Sequence, residues 1–204
     1  MENVQEQEIS EDEIQEALQE SIQVIESQPV LHRNCQDKLR LTDKFRLLYD
    51  FQNSLDVAMN MVLIKNQSTS FTNLKNIIQL QTKRQFNLSH FQQLIKLEPH
   101  FFHHKWEMKM GKQELMIIHP ANVDAIAQSK WNQGEIVQPS SQVFQGRISS
   151  STILLRQKII KNDLIKFMAH DLERNYADSN FNAYEQDQWP SFFNFDDVED
   201  IELA

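Results

Sequence analysis

KRQFNLSHFQQLIKLEP, residues 83–99, has the pattern of a short amphipathic helix, and the fold prediction starts from it. Asn87 or Ser89 can cap its start, and Pro99 ends it because proline cannot continue a helix. Its apolar side is formed by Leu88, Phe91, Leu94, Ile95 and Leu97, and its outward side carries His90, Gln92, Gln93 and Lys96. Such a polar face can contact DNA bases, a protein partner or only water.

The neighbouring segments supply the rest of a compact fold. LTDKFRLLYDFQNSLDVAMNMVLIKN, residues 41–66, predicts a long helix that is apolar on most sides, and SFTNLKNIIQLQTKRQF, residues 70–86, predicts a second one. FFHHKWEMKMGKQELMIIHP, residues 101–120, alternates between apolar and polar positions and predicts a two-stranded hairpin closed by Gly111 and Lys112. Three helices and a hairpin in this order predict a winged helix, whose third helix usually lies in a DNA groove and whose hairpin is the wing.

The predicted fold is therefore mostly α with a small β-hairpin, and it has an additional C-terminal helix at residues 151–175. Residues 126–151 are rich in serine, glutamine and glycine, and we expect a long loop there. Periodic apolar positions converge in a three-helix arrangement and predict a core of Phe45, Leu55, Phe71, Ile78, Phe91 and Leu94.

Charge divides the chain into three parts. Residues 1–37 hold one basic and ten acidic residues, residues 38–120 hold twelve basic and six acidic, and residues 121–204 hold seven basic and thirteen acidic. We expect an acidic tail at 1–38 with an amphipathic helix at 10–26, a winged-helix domain at 39–175, and an acidic aromatic tail at 176–204. A basic middle between acidic ends suits a nucleic-acid face with interaction tails, although a solvated domain with disordered ends gives the same pattern.

Four segments of the sequence are similar to one known family. They are Lys44–Phe45 at the start of the first long helix, Ser54–Leu55–Asp56 within it, TSFTNL at 69–74, and TKRQFNLSHFQQLIKLEP at 82–99. The closing helix at 151–175 fits as well. In this order they resemble the central domain of the eukaryotic replication-licensing factors that load the replicative helicase, the domain that the inhibitor geminin binds.

The resemblance implies a winged-helix fold and a non-catalytic nuclear protein that binds DNA and protein partners. Family members carry a second winged helix that contacts the helicase, whereas here the acidic residues 176–204 follow the last helix. Two functions therefore stay open. The chain is either a licensing-type adaptor that bridges replication proteins, or a structural, DNA-binding accessory subunit of a larger DNA-modifying complex such as a DNA methyltransferase assembly.

The residue patterns of catalysis and of metal binding are missing from the sequence. His100, His103, His104 and His119 cluster, but neighbouring residues on a strand point to opposite faces and no cysteine pair completes a ligand set. Three glycines are too few for a phosphate loop or a dinucleotide fold. We expect no enzyme activity, no metal and no cofactor.

The sequence also predicts the compartment. Cys35 is the only cysteine, the N-terminus is acidic and lacks a signal peptide, and the longest apolar run, from Val57 to Ile64, is too short to span a membrane. We expect a soluble intracellular protein without disulfides or membrane contact, and the resemblance places it in the nucleus.

Candidate DNA contacts fall into two groups. Gln92 and Gln93 can read adenine edges, and Lys96 can hold a phosphate. Phosphate contacts are also expected from residues before the third helix and in the wing, namely Lys83, Arg84, Lys105, Lys109 and Lys112. The third helix carries one lysine and no arginine. We therefore expect non-specific DNA binding through the wing, which leaves the helix available to a protein partner.

Two tail motifs suggest protein partners. EDEIQEALQES, residues 11–21, resembles a ubiquitin-interacting motif, with contacts expected from Ile14, Ala17, Leu18 and Ser21. QDQWPSFFNF, residues 186–195, places Gln186, Trp189, Phe192 and Phe193 at the spacing of the box that holds the sliding clamp in many replication proteins. The alternatives are a helix that docks on another partner for the first motif, and aromatics that dock on this domain or on another subunit for the second.

Overall fold

The computed structural model describes residues 38–132, 137–142, 146–176, 182, 186 and 188–203. These residues form five α-helices and one antiparallel hairpin: α1 (Asp43–Ile64), α2 (Phe71–Thr82), α3 (Leu88–Leu97), β1 (His103–Lys109), β2 (Lys112–Ile118), α4 (Val123–Trp131) and α5 (Ser150–Asn175). The prediction of a mostly helical, winged-helix-like fold is confirmed.

Helix α1 is the central element of the domain. Its N-terminus is capped by Thr42, whose hydroxyl accepts a hydrogen bond from the Phe45 amide at 3.3 Å, as a cap must because the first amides of a helix have no internal partner. Apolar residues on several sides of α1 are buried, and α2, α3 and α5 all pack against it. The broad apolar face seen in the sequence is thus explained by three neighbouring helices.

The hairpin packs on the helices through β2. Leu115 and Ile117 are buried in the core, whereas nearly all of β1 is exposed. The segment before α2 adds a short third pairing, because the Ile117 amide donates to the Thr69 carbonyl at 3.1 Å and Ser70 bridges Met116. This contact holds the wing against the start of α2.

The predicted core is confirmed. Five of the six predicted residues are buried, and the sixth, Phe71, is partly buried against the same cluster. Phe71 nevertheless contributes to packing, since its ring lies 5.6 Å from that of Phe86 and 6.2 Å from that of Phe91. The aromatic side chains therefore join α2 to α3.

The prediction of a continuous loop over residues 126–151 is wrong at its start. Helix α4 occupies Val123–Trp131 and packs against α5. Asn122, which precedes α4, ties down the following segment, since its amide donates to the Gln138 carbonyl at 2.9 Å and its side-chain oxygen accepts from the Ser140 amide at 2.8 Å. Only three of the nine residues of α4 are buried, so its apolar period is weak.

Helix α5 closes the domain and crosses α1. Ser149 caps it by accepting from the Thr152 amide at 3.1 Å. The buried side of α5 includes a fully buried arginine, Arg156, beside isoleucine, leucine and methionine. The charge of this arginine is balanced inside the domain by Asp56.

Candidate nucleic-acid interface

The wing ends in a tight turn that exposes its tip. Met110 and Gly111 connect the strands with φ of 49° and 77°, and positive φ at both central residues is the geometry of a type I′ turn. The prediction that Gly111 and Lys112 close the hairpin is wrong by one residue, because Lys112 already pairs with Lys109 as the first residue of β2. Met110 is 97% exposed.

One face of the wing carries unbalanced charge. Lys109 lies opposite Lys112, and Glu107 lies opposite Glu114. Like charges in directly opposite positions repel each other. The repulsion between Glu107 and Glu114 is partly relieved, since the Lys105 ammonium lies 2.6 Å from the Glu107 carboxylate. At the tip, Lys109 and Lys112 instead offer two exposed ammonium groups that one anion could bridge.

The other face of the wing is apolar and uncovered near the tip. Trp106 and Met108 lie on this face and are 58% and 69% exposed. Their cross-strand neighbours are Leu115, which is buried, and Gln113, which is exposed. The face therefore passes from the core to solvent along the strand. Near the tip it leaves Trp106 and Met108 exposed, together with Met110 in the turn. Exposed apolar groups of this kind mark interaction sites.

Asn87, one of the two predicted caps, is the N-cap of α3. The backbone N–H of Asn87 donates to Nδ1 of His90 at 3.0 Å. This bond requires that Nδ1 carry no proton. Burial lowers the pKa of His90, so the neutral ring fits this role. The His90 ring also stacks on Phe86 and lies tilted against Phe51. This residue, which the sequence pattern assigned to the outward side, belongs to the helix start.

The outward residues of α3 have unequal surroundings. Lys96 is exposed, whereas Gln92 and Gln93 are half-buried. The Gln93 amide donates to the Ile201 carbonyl at 3.2 Å, across 108 residues of sequence. One of the two candidate base-reading amides is therefore engaged by the C-terminal segment.

Lys83 and Arg84 lie in the turn between α2 and α3. Lys83 ends α2 in the left-handed conformation with φ of 56°, and both residues are exposed. Both cations are accessible to a ligand from solvent.

Residues 188–203, which we call the C-terminal strap, pack on the helical domain. Phe193, Val198 and Ile201 join the buried core cluster. The Trp189 indole donates to the Arg40 carbonyl at 2.7 Å and stacks on Phe193, with ring centroids 4.8 Å apart. The two phenylalanines of the motif that resembles the clamp-binding box differ in exposure: Phe193 is 7% exposed, whereas Phe192 is 53% exposed.

Two adjacent acidic residues of the same strap form ion pairs with different helices. The Lys44 ammonium lies 2.8 Å from Asp200 and also donates to the Val198 carbonyl. Arg174, near the end of α5, lies 2.7 Å from Glu199. No periodic pattern in the sequence indicates this docking. The sequence predicts that the aromatic residues dock either on this domain or on another subunit, and Trp189 and Phe193 dock on this domain. Val198 and Ile201 are isolated apolar residues among the acids.

The interior contains a network of charges with internal partners. The Arg156 guanidinium lies 2.9 Å from the Asp56 carboxylate, and both side chains are fully buried. Gln52 donates to the same carboxylate at 3.1 Å, and Arg156 donates to the Phe101 carbonyl at 3.2 Å. The guanidinium also stacks 4.2 Å from the Phe101 ring centroid. Asp56, part of the family-like segment at 54–56, is therefore a structural residue.

A second acidic group is buried where α3 ends. Glu98 is 1% exposed, and its carboxyl group contacts the Lys130 ammonium of α4. Burial, together with the nearby Asp163 carboxylate, raises the pKa of Glu98 to about 8, although Lys130 acts in the opposite direction. Lys130 also lies 3.4 Å from Asp163. These contacts join α3, α4 and α5.

The clustered histidines have different surroundings, and His100 is half-buried. The His103 ring nitrogen Nε2 hydrogen-bonds the Ser140 carbonyl at 2.7 Å, and the His104 ring contacts Phe91 edge-on. His119 is buried against Phe102, and burial and Arg156 hold its pKa well below the usual range. Within the described ranges, no three histidine, cysteine or acidic side chains are grouped so as to hold a metal ion. In the same residues no helix is long and apolar enough to span a membrane.

A known family accounts for this arrangement. The family model described as "DNA replication factor CDT1 like" matches residues 41–204. The chain belongs to this family. The match begins just before α1 and runs through the strap, so it covers the whole winged-helix-like domain. No curated protein matches the chain. The resemblance to replication-licensing factors is confirmed, and the CDT1-like family is one of non-catalytic replication factors.

The predicted ubiquitin-interacting residues Ile14, Ala17, Leu18 and Ser21 lie outside the described residues. The helix expected at 10–26 lies outside them as well. Both remain predictions.

Proposed function

We propose that this chain is a nuclear, non-catalytic adaptor of the replication-licensing type, which binds protein partners and DNA. The observation that carries the proposal is the CDT1-like family match over residues 41–204. The family gives the replication context, and the exposed surfaces of the domain indicate which parts are available for contacts.

DNA binding is assigned to the wing and is non-specific. Lys109 and Lys112 face each other at the tip and have no acidic partner across the hairpin, so a phosphate between them would relieve their repulsion. Lys105 lies on the same face, and Lys83 and Arg84 add exposed charge before α3. Phosphate contacts of this kind position a protein on DNA without reading sequence.

Helix α3 contributes less to this mode. Gln93 is engaged with Ile201, which supports backbone contact through the wing over base reading by Gln92, Gln93 and Lys96. The partner-binding surface of the domain then includes the exposed apolar side chains of the wing, because such groups are favoured at protein contacts.

The two open functions predict different partners. A licensing-type adaptor should copurify with helicase subunits, whereas an accessory subunit of a DNA-modifying complex should copurify with a catalytic chain such as a methyltransferase. The full chain would be affinity-purified from nuclease-treated nuclear extract, so that DNA cannot bridge unrelated proteins, and its partners identified by mass spectrometry. Enrichment of a methyltransferase without helicase subunits would overturn the adaptor proposal.

The sliding clamp is a second candidate partner, and it would bind the strap. Phe193 is buried and Trp189 donates to the Arg40 carbonyl, so a clamp would have to displace the box from this domain. We expect a synthetic 183–204 peptide to bind sliding clamp more tightly than the full chain does. Calorimetric titration compares the two, with a peptide carrying Phe192→Ala and Phe193→Ala as the control. Equal heats from the peptide and its control would exclude the clamp.

Ubiquitin binding by residues 11–21 is a separate proposal. It rests on the acidic start followed by Ile14, Ala17 and Ser21 at the spacing of the motif. Titration of labelled full chain with ubiquitin tests it. Ala17→Arg should abolish binding, because a small residue is needed for close approach, whereas Gln15→Arg, an equal change of charge two residues away, should not.

A further inference from the structure

We propose that the C-terminal strap is an intramolecular competitor that keeps nucleic acid off helix α3. This inference rests on the proposed DNA binding, since it states how that binding is restrained. The strap lies on the helix that a winged-helix fold usually presents to DNA, and its contacts with this helix and with α1 engage groups that a nucleic acid would otherwise use.

The strap covers part of the outward side of α3. The Ile201 carbonyl accepts the Gln93 amide of α3 at 3.2 Å, and a glutamine amide is the donor and acceptor pair that reads adenine. Lys96 lies one turn further along the same helix, where residues three apart are surface neighbours. A duplex that approached this part of α3 would meet the strap.

The strap also carries negative charge. Five acidic residues, all exposed, lie within seven positions of it: Asp196, Asp197, Glu199, Asp200 and Glu202. Asp200 engages Lys44 and Glu199 engages Arg174. The strap therefore occupies two cations. Asp200 and Glu202 flank the residue that contacts α3, and their negative charge repels phosphate over about one Debye length, roughly 8–10 Å.

The attachment of the strap is weak enough for it to detach. Its described residues contain turns but no helix or strand, so no backbone ladder ties it to the domain. Three buried apolar anchors hold it, namely Phe193, Val198 and Ile201, and Trp189 and Phe195 pack partly buried against the same cluster. The other attachments include single hydrogen bonds and solvent-exposed ion pairs, and exposed ion pairs contribute little to stability. Segments with few buried contacts open at a lower free-energy cost than the core does.

Two variants of the full chain separate the effect of the strap covering α3 from the effect of the strap's negative charge. In the release variant, Val198→Ser and Ile201→Ser remove two anchors without changing charge. In the charge variant, Asp196→Asn, Asp197→Asn and Glu202→Gln keep every apolar anchor. A control, Glu2→Gln, Glu6→Gln and Glu8→Gln, makes the same change of net charge far away in the sequence.

DNA affinity is measured by fluorescence anisotropy with a labelled duplex over a series of salt concentrations, and circular dichroism checks that each variant is folded. We expect the release variant to bind at least about fivefold more tightly than the parent, a coupling of ordinary size. The slope of log affinity against log salt should steepen by about one for each additional phosphate that the variant binds. Lys96→Ala should then weaken binding by the release variant and leave the parent unchanged.

The strap inference and the proposed wing contact fail in different ways. A parent that binds through the wing lysines, with a folded release variant of equal affinity, overturns the strap inference alone. A parent that does not bind, with a release variant that does, supports the strap and overturns binding through the wing alone. Binding by no variant overturns both. If the release variant is unfolded, the charge variant decides, because an affinity no higher than that of the N-terminal control overturns the inference.

Discussion

The interior arginine and the wing lysines show two opposite uses of positive charge. Arg156 is fully buried and has Asp56, the Phe101 carbonyl and two aromatic rings as partners. Lys109 and Lys112 are exposed and face only each other across the hairpin. A cation whose partners lie within the domain is satisfied internally, and removing it leaves its partner uncompensated, whereas cations that face like charge are available to an anion from outside. Arg156 is therefore structural, and the wing lysines are the candidates for binding.

The largest effect is expected when the interior pair is broken. Arg156→Met would leave the Asp56 carboxylate buried without its cation, and we expect the free energy of unfolding to fall by about 3–5 kcal/mol. Chemical denaturation measures this change. Arg147→Met, at an exposed position, is the matched control and should change stability little.

The double variant Arg156→Met with Asp56→Leu adds a second test of the same pair. Replacing both charges by apolar groups removes the unpaired carboxylate, so most of the lost stability should return. An Arg156→Met variant as stable as the Arg147→Met control would contradict the structural role of the arginine.

The next effect concerns the apolar face of α3, which positions the helix beside the wing. Leu94 is buried, and Leu94→Ala should lower the free energy of unfolding by about 2–5 kcal/mol because it leaves a cavity. Leu80→Ala, at a side chain that is 67% exposed, serves as the control in the same denaturation experiment. Equal stability of the two variants would contradict the assignment of Leu94 to the core.

Sequence alone could predict α3 because its evidence is local. Its apolar residues recur at helical spacing, Asn87 starts it and Pro99 follows it, and the structure ends the helix at Leu97. The partner of Arg156, by contrast, lies 100 residues away. No local pattern indicates that one arginine of an amphipathic helix points inward, so the interior network could not be predicted.

The presence of α4 could not be predicted, and the docking of the strap on this domain could be predicted only as one alternative for its aromatic residues. Phe193, Val198 and Ile201 are buried, but they are spaced irregularly among acidic residues, so their pattern is that of a tail. Helix α4 buries three residues in nine, too few to define a period. Both segments gain their structure from the surface against which they pack, and this surface exists only after the other helices have assembled.

A smaller effect is expected from the second interior charge, Glu98. Its pKa is raised to about 8 from a usual value of 4.5, because burial and Asp163 outweigh Lys130. Between these two pH values the folded state keeps a proton that the unfolded chain releases. The contribution of Glu98 to stability is therefore fully present below pH 4.5 and is lost as the pH rises through 8. Arg156 also faces this group and favours its charged form.

Glu98→Gln tests the sign of this effect. From pH 6.5 to 8 the parent should lose stability relative to the variant, on the order of 1 kcal/mol per pH unit. His119 acts in the opposite direction, since its lowered pKa costs stability only as the pH falls below 6.5. Denaturation curves over the higher range therefore isolate Glu98. A parallel pH dependence of the two proteins would contradict the raised pKa.

The salt dependence of DNA binding by the full chain is the decisive measurement for the wing. Lys105→Ala, Lys109→Ala and Lys112→Ala are compared with a control of equal charge, Lys65→Ala, Lys75→Ala and Arg147→Ala. If the wing lysines bind phosphates, the slope of log affinity against log salt should flatten by about one for each phosphate that is no longer bound, and the control should keep the parent slope. Equal slopes for the two triple variants, or binding that does not depend on salt, would contradict the assignment of the wing to DNA.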